Sequence, residues 1–83
     1  MSYTVSWDPP AERDLISMWL SSRMRHAIRS AADRIDALLQ SNPRECGESR
    51  EGDNRVILIW PLGVSFEIDE PQRRVRVTAV WSF

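Results

Sequence analysis

The chain has 83 residues, of which 42% are hydrophobic and 28% are charged, and its formal net charge at pH 7 is −1. This length predicts one domain, residues 1–83, with a small core, because a domain of this size buries only about 60% of the surface of its unfolded chain. The near-neutral charge removes the simplest argument for nucleic-acid binding, which depends on clustered positive charge.

The cysteine and histidine counts exclude several kinds of site. Cys46 is the only cysteine, so neither an internal disulfide nor a cysteine-based zinc site is expected. His26 is the only histidine, which excludes paired-histidine metal motifs, and its place in a predicted helix favours a solvent-facing side chain over a general base. We expect no metal and no cofactor.

The sequence also gives no sign of a membrane or export segment. No apolar run approaches the roughly 20 residues of a transmembrane helix. The first residues lack the basic and hydrophobic regions of a signal peptide. We therefore expect a cytoplasmic protein without membrane contact.

A short first strand is predicted near the start, where Tyr3, Val5 and Trp7 alternate with polar residues. The tripeptide Asp8-Pro9-Pro10 ends this strand and begins a helix, because Asp8 can cap free amides and proline is tolerated in a first helical turn. The apolar face of this helix is predicted to hold Leu15, Ile16, Trp19 and Leu20.

A second, longer helix is predicted after a break at Ser21-Ser22 and ends at Asn42-Pro43. Its apolar residues recur at three- and four-residue spacing: Ala27, Ile28, Ala31, Ile35, Leu38 and Leu39. The two helices are predicted to form an antiparallel hairpin that needs a sheet to cover its apolar faces. The polar segment 43–54 is predicted to be a loop.

Three strands are predicted in the last third of the chain. Arg55 to Trp60 is apolar on both faces, as expected of a central strand, and Val64 to Asp69 alternates strictly. One side of the final strand is apolar: Val75, Val77, Ala79, Trp81 and Phe83. The other side is polar: Arg74, Arg76, Thr78 and Ser82. The order strand, helix, helix, strand, strand, strand defines an α+β fold.

The last two strands are predicted to pair through a four-residue loop, Glu70-Pro71-Gln72-Arg73. The charges then pair across the strands, and a slip of one residue would bury carboxylates. The predicted cross-strand pairs are Asp69 with Arg74, Glu67 with Arg76 and Ser65 with Thr78.

A turn at Pro61-Leu62 is predicted to set Trp60 opposite Gly63. Val56, Leu58 and Trp60 would then share a side with Ser65 and Glu67. Such an apolar strip, rimmed by charges, suits a protein partner better than RNA. A one-residue bulge would instead turn Trp60 into the core, and this alternative stays open.

The order of elements resembles that of the RelE/ParE superfamily, the toxins of type II toxin–antitoxin or plasmid stabilisation modules. The resemblance covers nearly the whole chain. It rests on the acidic-proline helix start, the helix end Ile35-x-x-Leu38-Leu39-x-x-Asn42-Pro43, the glycine-containing loop into Arg55, and Pro61-Leu62-Gly63-Val64-Ser65-Phe66-Glu67-Ile68-Asp69 before a basic final strand. It implies a protein made with a labile antitoxin, which wraps it and blocks its activity.

The family has two branches, one that cuts messenger RNA in the ribosome and one that poisons DNA gyrase. Basic positions of the cutting branch fall here on Asn54, Val56 and Gly63, none of which is basic, and the chain stops at Phe83 before the family's further C-terminal residues. Arg55 remains near an expected place, and we predict it as a catalytic candidate together with Arg76. Phosphate clamps of this kind would stabilise the transition state's charge.

Further contact residues are predicted beside these two. The candidates for nucleic-acid or target contact are Arg50, Arg73 and Arg74. The candidates for partner binding are Val56, Leu58, Trp60 and Trp81.

The resemblance thus implies a toxin-type subunit that acts on translation or replication through macromolecular contacts and is neutralised by a cognate antitoxin. Three alternatives stay open: a ribosome-dependent mRNA endoribonuclease, a ParE-like gyrase inhibitor, and a degenerate member that only binds. A second copy of the chain is a further candidate partner.

Overall fold

The computed structural model describes residues 2–83 and confirms the predicted order of elements. A short 3₁₀ turn, Pro43–Glu45, and a short strand, β2, lie within the segment predicted as a loop. The helices and strands are β1 (Thr4–Trp7), α1 (Pro9–Ser21), α2 (Arg25–Ser41), β2 (Glu48–Ser49), β3 (Asn54–Ile59), β4 (Leu62–Asp69) and β5 (Arg74–Ser82). No helix within residues 2–83 combines the length and apolarity needed to cross a membrane.

One five-stranded sheet has the order β1-β5-β4-β3-β2. β1 runs parallel to β5, and the other neighbours are antiparallel. β3 lies inside the sheet, as predicted, between β4 and β2, but it is not buried on both faces. Of the β3 side chains only Ile57 is fully buried, because within residues 2–83 no helix covers the other face of the strand.

The core lies between the two helices and one face of the sheet. α2 contributes the predicted residues Ile28, Ala31, Ile35 and Leu39. The sheet contributes Ile57, Leu62, Val64, Phe66, Val75, Val77 and Val80. Burial of this apolar surface is the main driving force for the fold.

The apolar face of α1 differs from the prediction. Ala11 is buried and Leu15 and Trp19 are half-buried, whereas Ile16 and Leu20 are 50% and 58% exposed. The apolar stripe is wider than the part of α1 that contacts the sheet and α2. The helix therefore leaves two large apolar side chains in solvent.

Asp8 occupies the N-cap position of α1, but its side chain makes no capping hydrogen bond. Its Oδ1 lies 3.3 Å from Nε of Arg76 on β5 instead. The predicted cap is therefore wrong, because the ion pair with the neighbouring strand holds the carboxylate away from the helix amides.

The β4–β5 hairpin has the predicted loop and begins in the predicted register. Asp69 pairs with Arg74 and Glu67 pairs with Arg76. The third predicted pair is wrong, because Ser65 lies opposite Ala79.

A β-bulge explains this change of register. Phe66 pairs with Val77 and Ser65 with Ala79, so Thr78 is the extra residue on β5. The alternation reverses there, which buries Val80 and places Ala79 and Trp81 on the face opposite the core. The predicted apolar side of β5 therefore holds only in its first half.

The turn between β3 and β4 falls at Trp60-Pro61, which is a cis peptide bond. Leu58 lies opposite Gly63, so the predicted turn at Pro61-Leu62 and the pairing of Trp60 with Gly63 are wrong. The observed register differs from the predicted one by two residues. Because side chains alternate with a period of two, Val56 and Leu58 stay on the predicted face.

Candidate functional site

The sheet has one face without helices, which we call the open face. Helices α1 and α2 both pack on the opposite side, against the buried residues of β3, β4 and β5. Within residues 2–83 no other element covers the open face. The residues that face it include Ser6, Val56, Leu58, Gly63, Ser65, Glu67, Arg74, Arg76, Ala79 and Trp81.

One end of the open face is apolar, and we call Leu58, Gly63, Ala79 and Trp81 the apolar patch. The Trp81 indole lies directly over Gly63, since a Cβ atom built on Gly63 would be 2.5 Å from Cε2 and Nε1 of Trp81. The same Cβ would lie 2.8 Å from Cδ2 of Leu58. Glycine is therefore needed for the two larger side chains to meet over the strand, and both keep substantial exposure.

The other end of the open face is charged and forms a shallow cavity of about 360 Å³. Its charged lining residues are Asp53, Glu67, Asp69, Arg74 and Arg76. We call these five residues the charged end.

Within the charged end, Arg76 lies between two carboxylates. Its Nε is 3.3 Å from Asp8 and its Nη2 is 3.4 Å from Glu67. Asp69 and Arg74 are neighbours in the register, but within residues 2–83 neither forms an ion pair shorter than 4.0 Å. The prediction that both cross-strand pairs are charge-paired therefore holds for Glu67 and Arg76 alone.

Arg55, the other predicted catalytic residue, lies on the core side of the sheet opposite Phe66. Its guanidinium donates hydrogen bonds to the carbonyl oxygens of Cys46 at 3.2 and 3.3 Å, of Arg44 at 3.1 Å and of Gly47 at 3.4 Å. The structure thus places Arg55 and Arg76 on opposite faces, and they do not form one site. Arg55 braces the loop before β3.

The predicted contact arginines are also spread apart. Arg50 pairs with Glu48 at 3.2 Å, and the Arg73 guanidinium lies 5.5 Å from the centre of the Tyr3 ring. Only Arg74 shares a cavity with Arg76. The contact roles of these three residues stay predictions.

Of the predicted partner-binding residues, Leu58 and Trp81 meet in the apolar patch and Val56 lies half-buried on the same face. Trp60 is in the turn, 56% exposed, and lines a separate groove between the sheet end and the helix turn. Met24 and Phe83 line that groove as well.

A second groove, of about 460 Å³, lies between α1 and α2. Trp7, Leu15 and Trp19 are among its apolar lining residues, and the Trp7 indole donates a 2.9 Å hydrogen bond to Oδ1 of Asp36. This groove was not predicted from the sequence. The signal for it was the apolar stripe of α1, which is wider than one packing face needs.

Three titratable residues outside the charged end, Cys46, Tyr3 and His26, lie away from the open face. Burial raises the pKa of the Cys46 thiol, and a hydrogen bond to Glu70 raises the pKa of the Tyr3 hydroxyl. His26 is exposed on α2. Within residues 2–83 no group of three or more His, Cys, Asp or Glu side chains is arranged to hold a metal ion. The groups that the open face offers for contact are carboxylates, arginines and apolar side chains.

No protein-family model matches the sequence, and no curated protein matches it. Several solved structures match its fold. A chain of the RelBE2 toxin-antitoxin complex from Mycobacterium tuberculosis has a TM-score of 0.82 and 19% identity, over 100% of this chain and 93% of that chain. A chain of the chromosomal ParDE system from P. aeruginosa has a TM-score of 0.77 and 14% identity, over 96% of this chain and 95% of that chain.

The intact E. coli RelBE toxin-antitoxin complex contains a third similar chain, with a TM-score of 0.70 and 15% identity, over 98% of this chain and 96% of that chain. The isolated E. coli RelE toxin matches with a TM-score of 0.70 and 16% identity, over 96% of this chain and 83% of that chain. At these identities the likeness concerns the fold. The resemblance predicted from the sequence is confirmed at that level, and the chain has the RelE/ParE-like toxin fold.

Proposed function

We propose that this protein is the toxin-type subunit of a bacterial type II toxin–antitoxin module and that a cognate antitoxin neutralises it. The observation that carries the proposal is the likeness of fold over 96–100% of this chain to chains from three toxin–antitoxin systems. The proposed setting is the cytoplasm, where a free buried thiol such as Cys46 persists in reduced form.

The proposed mode of action is protein contact through the open face. The apolar patch presents Trp81 and Leu58 to solvent, and aromatic and aliphatic anchors of this kind carry most of the energy of protein interfaces. The charged end supplies a polar rim beside them. Inhibition of gyrase or of another enzyme by binding requires no further chemistry from this chain.

Ribosome-dependent cleavage of messenger RNA is the second candidate. The observation in its favour is that Arg74 and Arg76 line the same cavity on the open face. Against it, Arg76 is held by two carboxylates and Arg55 is bound to loop carbonyls on the other side of the sheet. A phosphate would have to displace these contacts before either arginine could bind it.

Induction of the chain alone in a bacterium tests the proposal. We expect arrest of growth, and its reversal when a small open reading frame adjoining the gene is expressed as well. Intact messages with DNA-damage signalling would identify the gyrase branch, and codon-positioned cuts would identify the ribosome branch. Unimpaired growth in the presence of folded protein would contradict the proposal.

Two substitutions with matched exposure test the role of the open face. Leu58 on the open face is 56% exposed and Leu20 on α1 is 58% exposed. We expect Leu58→Glu to abolish growth arrest and Leu20→Glu to preserve it, with both variants folded by circular dichroism. Equal toxicity of the two variants would locate the contact elsewhere.

A further inference from the structure

We propose that the open face binds a protein segment that has apolar side chains at one end and an arginine or lysine at the other. The apolar side chains would rest on the apolar patch and the cation would enter the charged end. This proposal rests on the proposed function in one respect, that the open face makes the contact with the target. It adds the chemistry of the partner.

The charges at the charged end favour a cation. The cavity is lined by three carboxylates and two guanidinium groups, and the Asp8 carboxylate beside Arg76 raises the number of carboxylates to four. The local charge is therefore about −2, which repels a phosphate and attracts a guanidinium or ammonium group.

Two of these carboxylates have no cationic partner in the described part of the chain. Within residues 2–83 neither Asp53 nor Asp69 forms an ion pair. Both residues are exposed, and Asp69 accepts only a long 3.4 Å hydrogen bond from the Gln72 backbone N–H. Their oxygens are thus free to receive a partner's donors.

The polar groups in the middle of the open face, the hydroxyls of Ser65 and Thr78 beside Val56, are already satisfied. The hydroxyl groups of Ser65 and Thr78 are 2.8 Å apart and bond to each other. They separate the apolar patch from the charged end and require nothing from a partner. The apolar patch and the charged end, at the two ends of the open face, would therefore recognise the partner.

The separation of the two ends sets the spacing in the partner. Gly63 and Glu67 are four residues apart on β4, which corresponds to about 13 Å along a strand. An extended segment spans this distance with a basic residue four positions after an apolar one, and both side chains then point to the same side.

Two short synthetic peptides of about ten residues, long enough to span this distance, provide the probe. Both carry leucines at one end, and one carries arginines where the other carries glutamates, four and six positions after the first leucine. Binding is followed by NMR shifts of the Leu58 amide and of the Trp81 indole. We expect the arginine peptide to bind at least about tenfold more tightly, with the difference shrinking as salt is added.

Matched variants locate the cation site. Asp53→Asn combined with Asp69→Asn is expected to reduce the preference for the arginine peptide to about twofold, because the unpaired charges are gone. Asp14→Asn combined with Asp33→Asn, at exposed positions on the helices, should leave the preference unchanged.

Several results would overturn the proposal: equal binding of the two peptides, no binding of either, or tighter binding of a single-stranded RNA oligonucleotide at Arg74 and Arg76. These measurements use the purified chain and do not depend on toxicity. A wild-type chain that fails to arrest growth would defeat the proposed function, whereas the peptide results judge the partner chemistry separately.

Discussion

Replacement of Arg55 by methionine distinguishes a structural from a catalytic role for this arginine. The guanidinium makes four hydrogen-bond contacts to three carbonyls of the loop before β3, and the Cys46 carbonyl accepts two of them. Methionine keeps much of the side-chain volume but supplies no donor. The loop carbonyl oxygens would then have to accept hydrogen bonds from water instead.

The expected loss follows from these contacts. Removing a charged donor costs about 1.5–3 kcal/mol per well-shielded hydrogen bond, and Arg55 is only half-buried. We therefore expect Arg55→Met to lower the free energy of unfolding by about 2–3 kcal/mol. In a domain of this size that corresponds to a fall in Tm of roughly 10–20 °C. Urea unfolding followed by tryptophan fluorescence measures it, and hydrogen exchange should quicken in residues 44–50.

Arg50→Met is the control. Arg50 makes a 3.2 Å ion pair with Glu48, and both side chains are more than half exposed, at 55% and 76%. Such a pair contributes at most about 1 kcal/mol, so little change is expected. If Arg55→Met unfolded like the wild type and yet abolished growth arrest, the structural reasoning would be refuted and Arg55 would act on the target.

Two further predictions concern glycine and tyrosine. Gly47→Ala should cost more than about 2 kcal/mol in urea unfolding, because the residue has φ 66° and its Cβ would lie 2.1 Å from the Val56 carbonyl oxygen. Gly52→Ala, with φ 68° but open space around it, should cost only about 1–2 kcal/mol. Equal losses of unfolding free energy in the two variants would contradict the role of the close approach to the Val56 carbonyl oxygen. The hydrogen bond to Glu70 raises the pKa of the Tyr3 hydroxyl above its ordinary 10.0. The folded chain therefore keeps the hydroxyl proton at a pH at which the unfolded chain has lost it. The free energy of unfolding is expected to fall as the pH rises above 10. Absorbance titration of this single tyrosine and unfolding of Tyr3→Phe check the effect, and a phenol that titrates at its ordinary pKa would exclude it.

Much of the fold could be predicted from local patterns in the sequence. The apolar spacing of α2 predicted its buried face at Ile28, Ala31, Ile35 and Leu39, and these residues are in the core. The charges at the start of the last hairpin predicted the pairing of Glu67 with Arg76, which the structure confirms. In both cases the information lies within one element or across one short turn.

The candidate site was predicted less completely. The sequence selected Leu58 and Trp81 as partner-binding residues, and the structure brings them together over Gly63. It also grouped Arg55 with Arg76, which lie on opposite faces of the sheet. A list of basic residues in strands does not show which face each occupies, because the answer depends on pairing with other strands.

The bulge at Thr78 is the clearest example of a feature that the tertiary structure sets and the local sequence does not. Strict alternation along β5 would place Trp81 on the same side as Val77, and the sequence contains no local signal against it. Pairing with β4 inserts one extra residue and reverses the alternation, so that Val80 fills the core and Trp81 joins the open face.

The features of the fold within residues 2–83 therefore fall into two groups, according to how far apart in sequence the interacting residues lie. Helix periodicity, strand alternation before the bulge at Thr78 and the register at the charged start of the last hairpin depend on neighbours in sequence, and the amino-acid pattern alone determines them. The parallel pairing of β1 with β5, the added strand β2 and the ion pair of Asp8 with Arg76 depend on segments far apart in the chain. Only packing of the whole chain decides them, because their free energy appears when distant surfaces meet.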